Sequence, residues 1–221
     1  MRRFFSLYQY LAPVLLFPLS YWLWLERCDY DHRFVVLVLS VPVLFAYVIP
    51  GLGTNWLKLW EFHTRWRLGK FRPHHGFVFG TATSLFALLC VDAHPSGLGV
   101  WEVIRAGFVM GSVLAFWNWL YDIVAIKTGL IVVYNRPHFQ KLGPEAIATD
   151  YAPVLFGVFG LCYGVTIRVS QHYLLELGRW ELMGWLTVSG NLAVLVLPVL
   201  AFVVCSHLKN GTTGLRPLKG D

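Results

Sequence analysis

Six stretches of this chain are so apolar and so bare of charge that water is the wrong solvent for them. They run Phe4–Leu25, Phe34–Trp56, Gly76–Val91, Val100–Tyr121, Ala152–Gln171 and Glu181–Ser206. A helix crosses the hydrocarbon core of a bilayer with about 20 mostly apolar residues, and most of these stretches approach that length. Lipid offers no partner to an exposed backbone N–H or C=O, so open strands are excluded. The period-two alternation of a membrane β-barrel is also missing. The expectation is an all-α, polytopic helical membrane bundle of about six transmembrane helices, forming one integral-membrane domain over residues 1–221.

Composition agrees. Hydrophobic residues make up 57% of the chain and charged residues 14%, against about 25% charged in soluble domains. Ten Trp suit a protein that meets two membrane–water interfaces. The net charge of +6 reads as cytoplasmic retention of Lys and Arg, with no nucleic-acid partner implied. With the N-terminus inside, that face collects Arg2, Arg3, Lys58, Arg65, Arg67, Lys70, Arg72, Lys127, Arg136, Lys141, Lys209, Arg216 and Lys219. The other face keeps Arg27, Arg33, Arg105, Arg168 and Arg179, diluted by acids. Both termini are therefore expected in the cytoplasm, in a bacterial inner membrane or a eukaryotic endomembrane. The start Met1-Arg2-Arg3 resembles a signal sequence but lacks a small-residue cleavage site, so a retained first helix is expected. Cys28, Cys90, Cys162 and Cys205 form no CxxC pair and no disulfide framework.

The connections carry most of the polar residues. Pro50-Gly51-Leu52-Gly53 should bend the second span near its end. Trp56 to His75 mixes Trp and Phe with Lys and Arg, and reads as a helix lying along the headgroups. Within Asp122–Asp150, the run Leu130-Ile131-Val132-Val133-Tyr134 is too short to span; it is expected to be re-entrant or packed under the bundle. A weak repeat links the two regions: Asn55-Trp56-Leu57 precedes Arg72-Pro73-His74, and Asn118-Trp119-Leu120 precedes Arg136-Pro137-His138. This suggests a duplicated helix–loop–helix.

Small residues at four-residue spacing (Gly107, Gly111 and Ala115; Gly160 and Gly164) mark helix-packing faces, and such faces would also serve homo- or hetero-oligomers. The first of these stripes continues to Asn118 and Asp122, ending in an amide and a carboxylate at the membrane boundary. Asp122 is the leading candidate for acid–base chemistry, since a carboxylate facing a bundle interior needs a reason; its plain alternative is an interfacial charge paired with Lys127 or Arg136. Glu61, His74, His75 and His138 fall at the same level; Glu61 is the alternative general acid or base, and the histidines would assist. Arg72 and Arg136 would hold a phosphate headgroup, with Asn55 and Asn118 as further substrate contacts. No HxxxH or HExxH occurs, so no metal or cofactor is implied by spacing. Glu102 and Arg105 should pair on the fourth helix.

No nucleotide-binding loop and no GxSxG motif occurs. Three readings follow. The first is an enzyme acting on a lipid or isoprenoid at the cytoplasmic leaflet. The second is a small-solute transporter, motivated by the repeat, the broken second helix at Pro50-Gly51 and the re-entrant-like run near Val132. The third is an accessory subunit held by its Gly-rich faces.

Overall fold

The computed structural model describes residues 2–92 and 97–217; Lys219 and the side chains of Arg2 and Arg3 lie outside the described residues. The chain begins with α1 (Arg2–Leu11), which passes through a π-helical turn at Ala12–Leu16 into α2 (Phe17–Arg27). Pro13 and Pro18 each remove a backbone donor there, and a widened turn absorbs the loss. Asp31 caps the next helix, α3 (His32–Gly51): its Oδ1 accepts the N–H of Arg33 at 2.9 Å and of Phe34 at 3.3 Å. The bend expected at Pro50-Gly51 takes the form of a second π-helical turn, Leu52–Trp56. Strand β1 (Trp60–Phe62), α4 (His75–Cys90) and the long α5 (Val100–Lys127) follow. Then come β2 (Ile131–Val133), two short helices α6 (Arg136–Phe139) and α7 (Pro144–Thr149), then α8 (Ala152–Ser170) and α9 (Met183–Asn210).

This is an all-α bundle with one two-stranded ladder. Among the described residues, four helical runs are long and apolar enough to cross a membrane: His32–Trp56, Val100–Lys127, Ala152–Glu176 and Trp180–Asn210. The other two expected spans are helical and run beside them. However, α4 has only 16 residues, and α1 is made more polar by Arg2, Arg3, Ser6 and Gln9. Successive runs alternate between two ends of the bundle. At one end Phe5 meets Tyr121, His74 meets Gln9, and Lys209 meets Asp150; we call this the basic end. At the far end Arg27 donates to the Val91 carbonyl, Arg33 lies over Trp180, and Arg168 pairs with Glu176.

The closest helix pair is α5 with α8, and its glycines explain why. A Cβ on Gly160 would stand 2.6 Å from the Met110 carbonyl oxygen, and one on Gly164 would stand 2.4 Å from that of Ala106. Gly111 meets the Gly157 carbonyl in the same way. Both Gly-rich stripes thus pack against each other inside the chain. Trp101, Ile104 and Phe108 on α5, with Trp185, Leu192 and Leu200 on α9, point outward instead.

Three expectations need correction. The Trp56–His75 segment is no interfacial helix, while Leu130–Tyr134 takes the second of its two expected forms, packed under the bundle. The two pair as an antiparallel ladder under the bundle, with Trp60 opposite Val133, Glu61 opposite Val132 and Phe62 opposite Ile131. Lys58 (φ 58°) and Gly129 (φ 72°) turn the chain out of its helices before each strand. The alternation then sends Trp60, Phe62, Ile131 and Val133 to one side and Glu61 to the other. The tripeptide repeat does not mark equivalent positions either: Asn55 lies in the π-helical turn at a helix end, Asn118 well inside α5. Arg105 pairs with Asp92 at 2.8 Å instead of Glu102.

Candidate functional site

A cavity of about 210 Å³ sits where the ladder closes the basic end of the bundle. Its walls are mainly apolar. Phe45, Ile49 and Leu52 come from the end of α3, Trp60, Phe62, Ile131 and Val133 from the ladder, Leu155 and Phe156 from α8, and Val199 and Phe202 from α9. The tail after α9 turns back at Gly211 and Gly214 (φ 70° and 69°), placing Leu215 on the same wall. The polar groups are His75, Asn118, Tyr121, Asp122, Tyr134, Asn135, Asp150 and Tyr151.

Asp122 is buried in α5, about a turn before its end, because the helix runs six residues further than expected, to Lys127. Tyr151, on the connection between α7 and α8, donates its hydroxyl to Asp122 Oδ2 at 2.7 Å. Oδ1 has no hydrogen-bond partner among the described residues and belongs to a side chain lining the cavity. Neither Lys127 nor Arg136 pairs with this carboxylate, so the plain interfacial ion pair is not what forms. Burial and the Asp122 carboxylate together push the Tyr151 phenol well above its ordinary range, which keeps it a donor.

His75 opens α4 and faces the cavity. Arg72 Nη2 donates to its Nδ1 at 2.6 Å. A nitrogen that accepts from a guanidinium carries no proton, so the neutral ring holds its proton on Nε2. Arg72 itself has no exposed surface, and its guanidinium carbon lies 4.9 Å from the Phe62 ring centroid. Asn118 lines the cavity one turn above Asp122 and donates to the Leu114 carbonyl, leaving its side-chain oxygen for a ligand.

The remaining expected residues fall elsewhere. Glu61 points away from the cavity, where Tyr134 donates to Oε1 at 2.7 Å, His63 Nε2 lies 3.0 Å from the same oxygen, and Lys70 lies 3.0 Å from Oε2. These contacts, the Tyr134 hydrogen bond foremost, hold the Glu61 carboxyl down at about 2; burial and the same carboxylate raise Tyr134 to about 12. Glu61 reaches the cavity only through Tyr134, as a support for the ladder. His74 faces Gln9 and the Tyr10 ring, and burial, with Arg72 nearby, lowers it to about 4. His138 stands edge-on to Tyr134. Arg136 is exposed. Asn55 accepts the Lys70 N–H at 2.8 Å and donates to the Leu68 carbonyl, bracing a loop. Of the five acid–base candidates, then, the fold brings only Asp122 and His75 to one space.

Sequence reasoning passes over Tyr121, Tyr134, Asn135, Asp150 and Tyr151. Three of them are phenols that sit beside an acid in sequence or bond to one in space, a signal that a reading centred on His and carboxylates overlooks. Among the described residues no group of three or more His, Cys, Asp or Glu side chains is arranged to hold a metal ion. No family model, characterised protein or solved structure matches the chain.

Proposed function

We propose that this is an integral-membrane enzyme acting on a lipid or isoprenoid, with the substrate's chain against the apolar wall and its reacting end at Asp122. The basic end is read as cytoplasmic from its Lys and Arg excess, with all six helical runs crossing the bilayer. The observation that carries the reading is a single cavity with a greasy body and a carboxylate at its polar end, one oxygen of which is unengaged. Tyr151 orients Asp122, Asp122 moves a proton, and His75 Nε2–H donates to the substrate. The transporter reading loses its re-entrant run, since the segment around Val132 is a strand capping the bundle, and keeps only the break in the second helix at Leu52–Trp56. The accessory-subunit reading loses its Gly-rich contact faces.

A solvent-isotope experiment tests the proposal and does not require the substrate to be identified first. Purified protein is incubated with a membrane lipid extract in D₂O or H₂¹⁸O, and lipids are resolved by mass spectrometry. One lipid class should gain solvent isotope with the native protein and not with Asp122→Asn. Equal incorporation by the variant, or none by either protein, counts against the proposal.

A further inference from the structure

Arg72 is the least explained side chain in the molecule. It is fully buried, its Nη2 bonds a neutral imidazole, and Nε and Nη1 have no partner among the described residues. An arginine cannot shed its proton to relieve this, and a buried guanidinium without a counter-ion is strongly unfavourable. The acid on the same side of the cavity, Asp122, bonds Tyr151 instead. A second observation points the same way. Arg72 lies against the first turn of α4, a helix of 16 residues whose N-cap residue, His74, contributes no side-chain cap. The His75 N–H of that turn bonds the Arg72 carbonyl, which holds the residue at the positive end of the helix dipole. Phe62, His75 and Tyr121, which surround Arg72, also line the cavity, so the cavity ends one side chain short of the unpaired charge.

We infer that the ligand's head is anionic, a phosphate or diphosphate ester on the chain that fills the cavity, and that Arg72 with the first turn of α4 holds it. This rests on the lipid or isoprenoid reading above and narrows it to a substrate class. A phosphate oxygen that takes Arg72 from His75 replaces the guanidinium's neutral acceptor with an anionic one, so that the bond joins opposite charges. It also frees the imidazole next to the reacting end.

The test compares geranyl diphosphate, geraniol and inorganic pyrophosphate binding to the full chain in detergent, by calorimetry and by the shift in thermal midpoint. Native protein should bind the diphosphate at least about tenfold more tightly than the alcohol, with pyrophosphate weaker than the prenyl ester. Arg72→Gln should reduce the diphosphate to the affinity of the alcohol. Without ligand, Arg72→Met should unfold no earlier than native protein, because the site holds an uncompensated charge until an anion arrives. Equal binding of alcohol and diphosphate to native protein, or a preference that survives Arg72→Gln, overturns the inference. Pyrophosphate matching the prenyl ester would overturn it in favour of a soluble anion. If both prenyl compounds bind equally and Ala46→Trp, at a residue that lines the apolar wall, abolishes both, the isoprenoid reading stands while the anionic head is lost. If neither binds, both fall.

Discussion

Two residues whose types and positions suggest chemistry set the acid stability of the basic end instead. Glu61 is held as a carboxylate by Tyr134, His63 and Lys70, and its folded value of about 2 lies below the ordinary 4.5. A depressed carboxylate contributes stability above its unfolded value and loses it as pH falls through the folded one. The stability gap between native protein and Glu61→Gln should therefore be constant above about pH 5 and close between 4.5 and 2. His74 has the opposite chemistry but the same direction: the fold keeps its ring neutral down to about 4, whereas the ordinary value is 6.5. As pH falls below 6.5 the unfolded chain takes up the proton first, so stability declines from 6.5 to about 4. His74→Gln should remove that upper window and leave the lower one. Denaturant unfolding at stepped pH separates the two, and a single unaltered transition profile in both variants would refute the assignment.

At the level of elements, the pairing of α5 with α8 depends on missing side chains. Gly160→Val drives a Cβ into the Met110 carbonyl and the Gly111 backbone at 2.6 and 2.8 Å, atoms that move only if the helices part. Overpacking of this kind costs about 1–3 kcal/mol, so the thermal midpoint should fall. Gly184→Ala, where a Cβ meets nothing within 4 Å, should leave it unchanged or slightly raised. The glycine spacing makes this contact legible in sequence, although the spacing is silent on which stripe meets which. The ladder is not legible. Three-residue strands are too short for alternation to register, and Ile131-Val132-Val133 reads equally as apolar helix or strand until Trp60-Glu61-Phe62 is set opposite.

The whole molecule has a direction, with Lys and Arg gathered where the ladder closes the bundle. If all six helical runs cross the bilayer, single cysteines replacing Lys141 and Arg136 should react with an impermeant maleimide from the same side as one replacing Arg67. A cysteine replacing Arg105, exposed at the far end, should react from the other. Labelling of positions 67 and 141 from opposite sides would mean that one run fails to cross, with α4 and its 16 residues the first suspect.

The sequence alone determined the fold class and the end of the bundle at which the basic side chains gather. Apolar length compels helices in lipid, charge bias gathers the polar groups at one end, and small residues bring two helices together, all of which are local or additive properties. Which polar groups share a space was decided only in three dimensions. One extra turn of α5 buries Asp122, the ladder turns Glu61 outward, and the start of α4 separates His75 from its neighbour His74. Each of these depends on a rotation about an axis or on a strand partner distant in the chain, and residue types along a line carry neither.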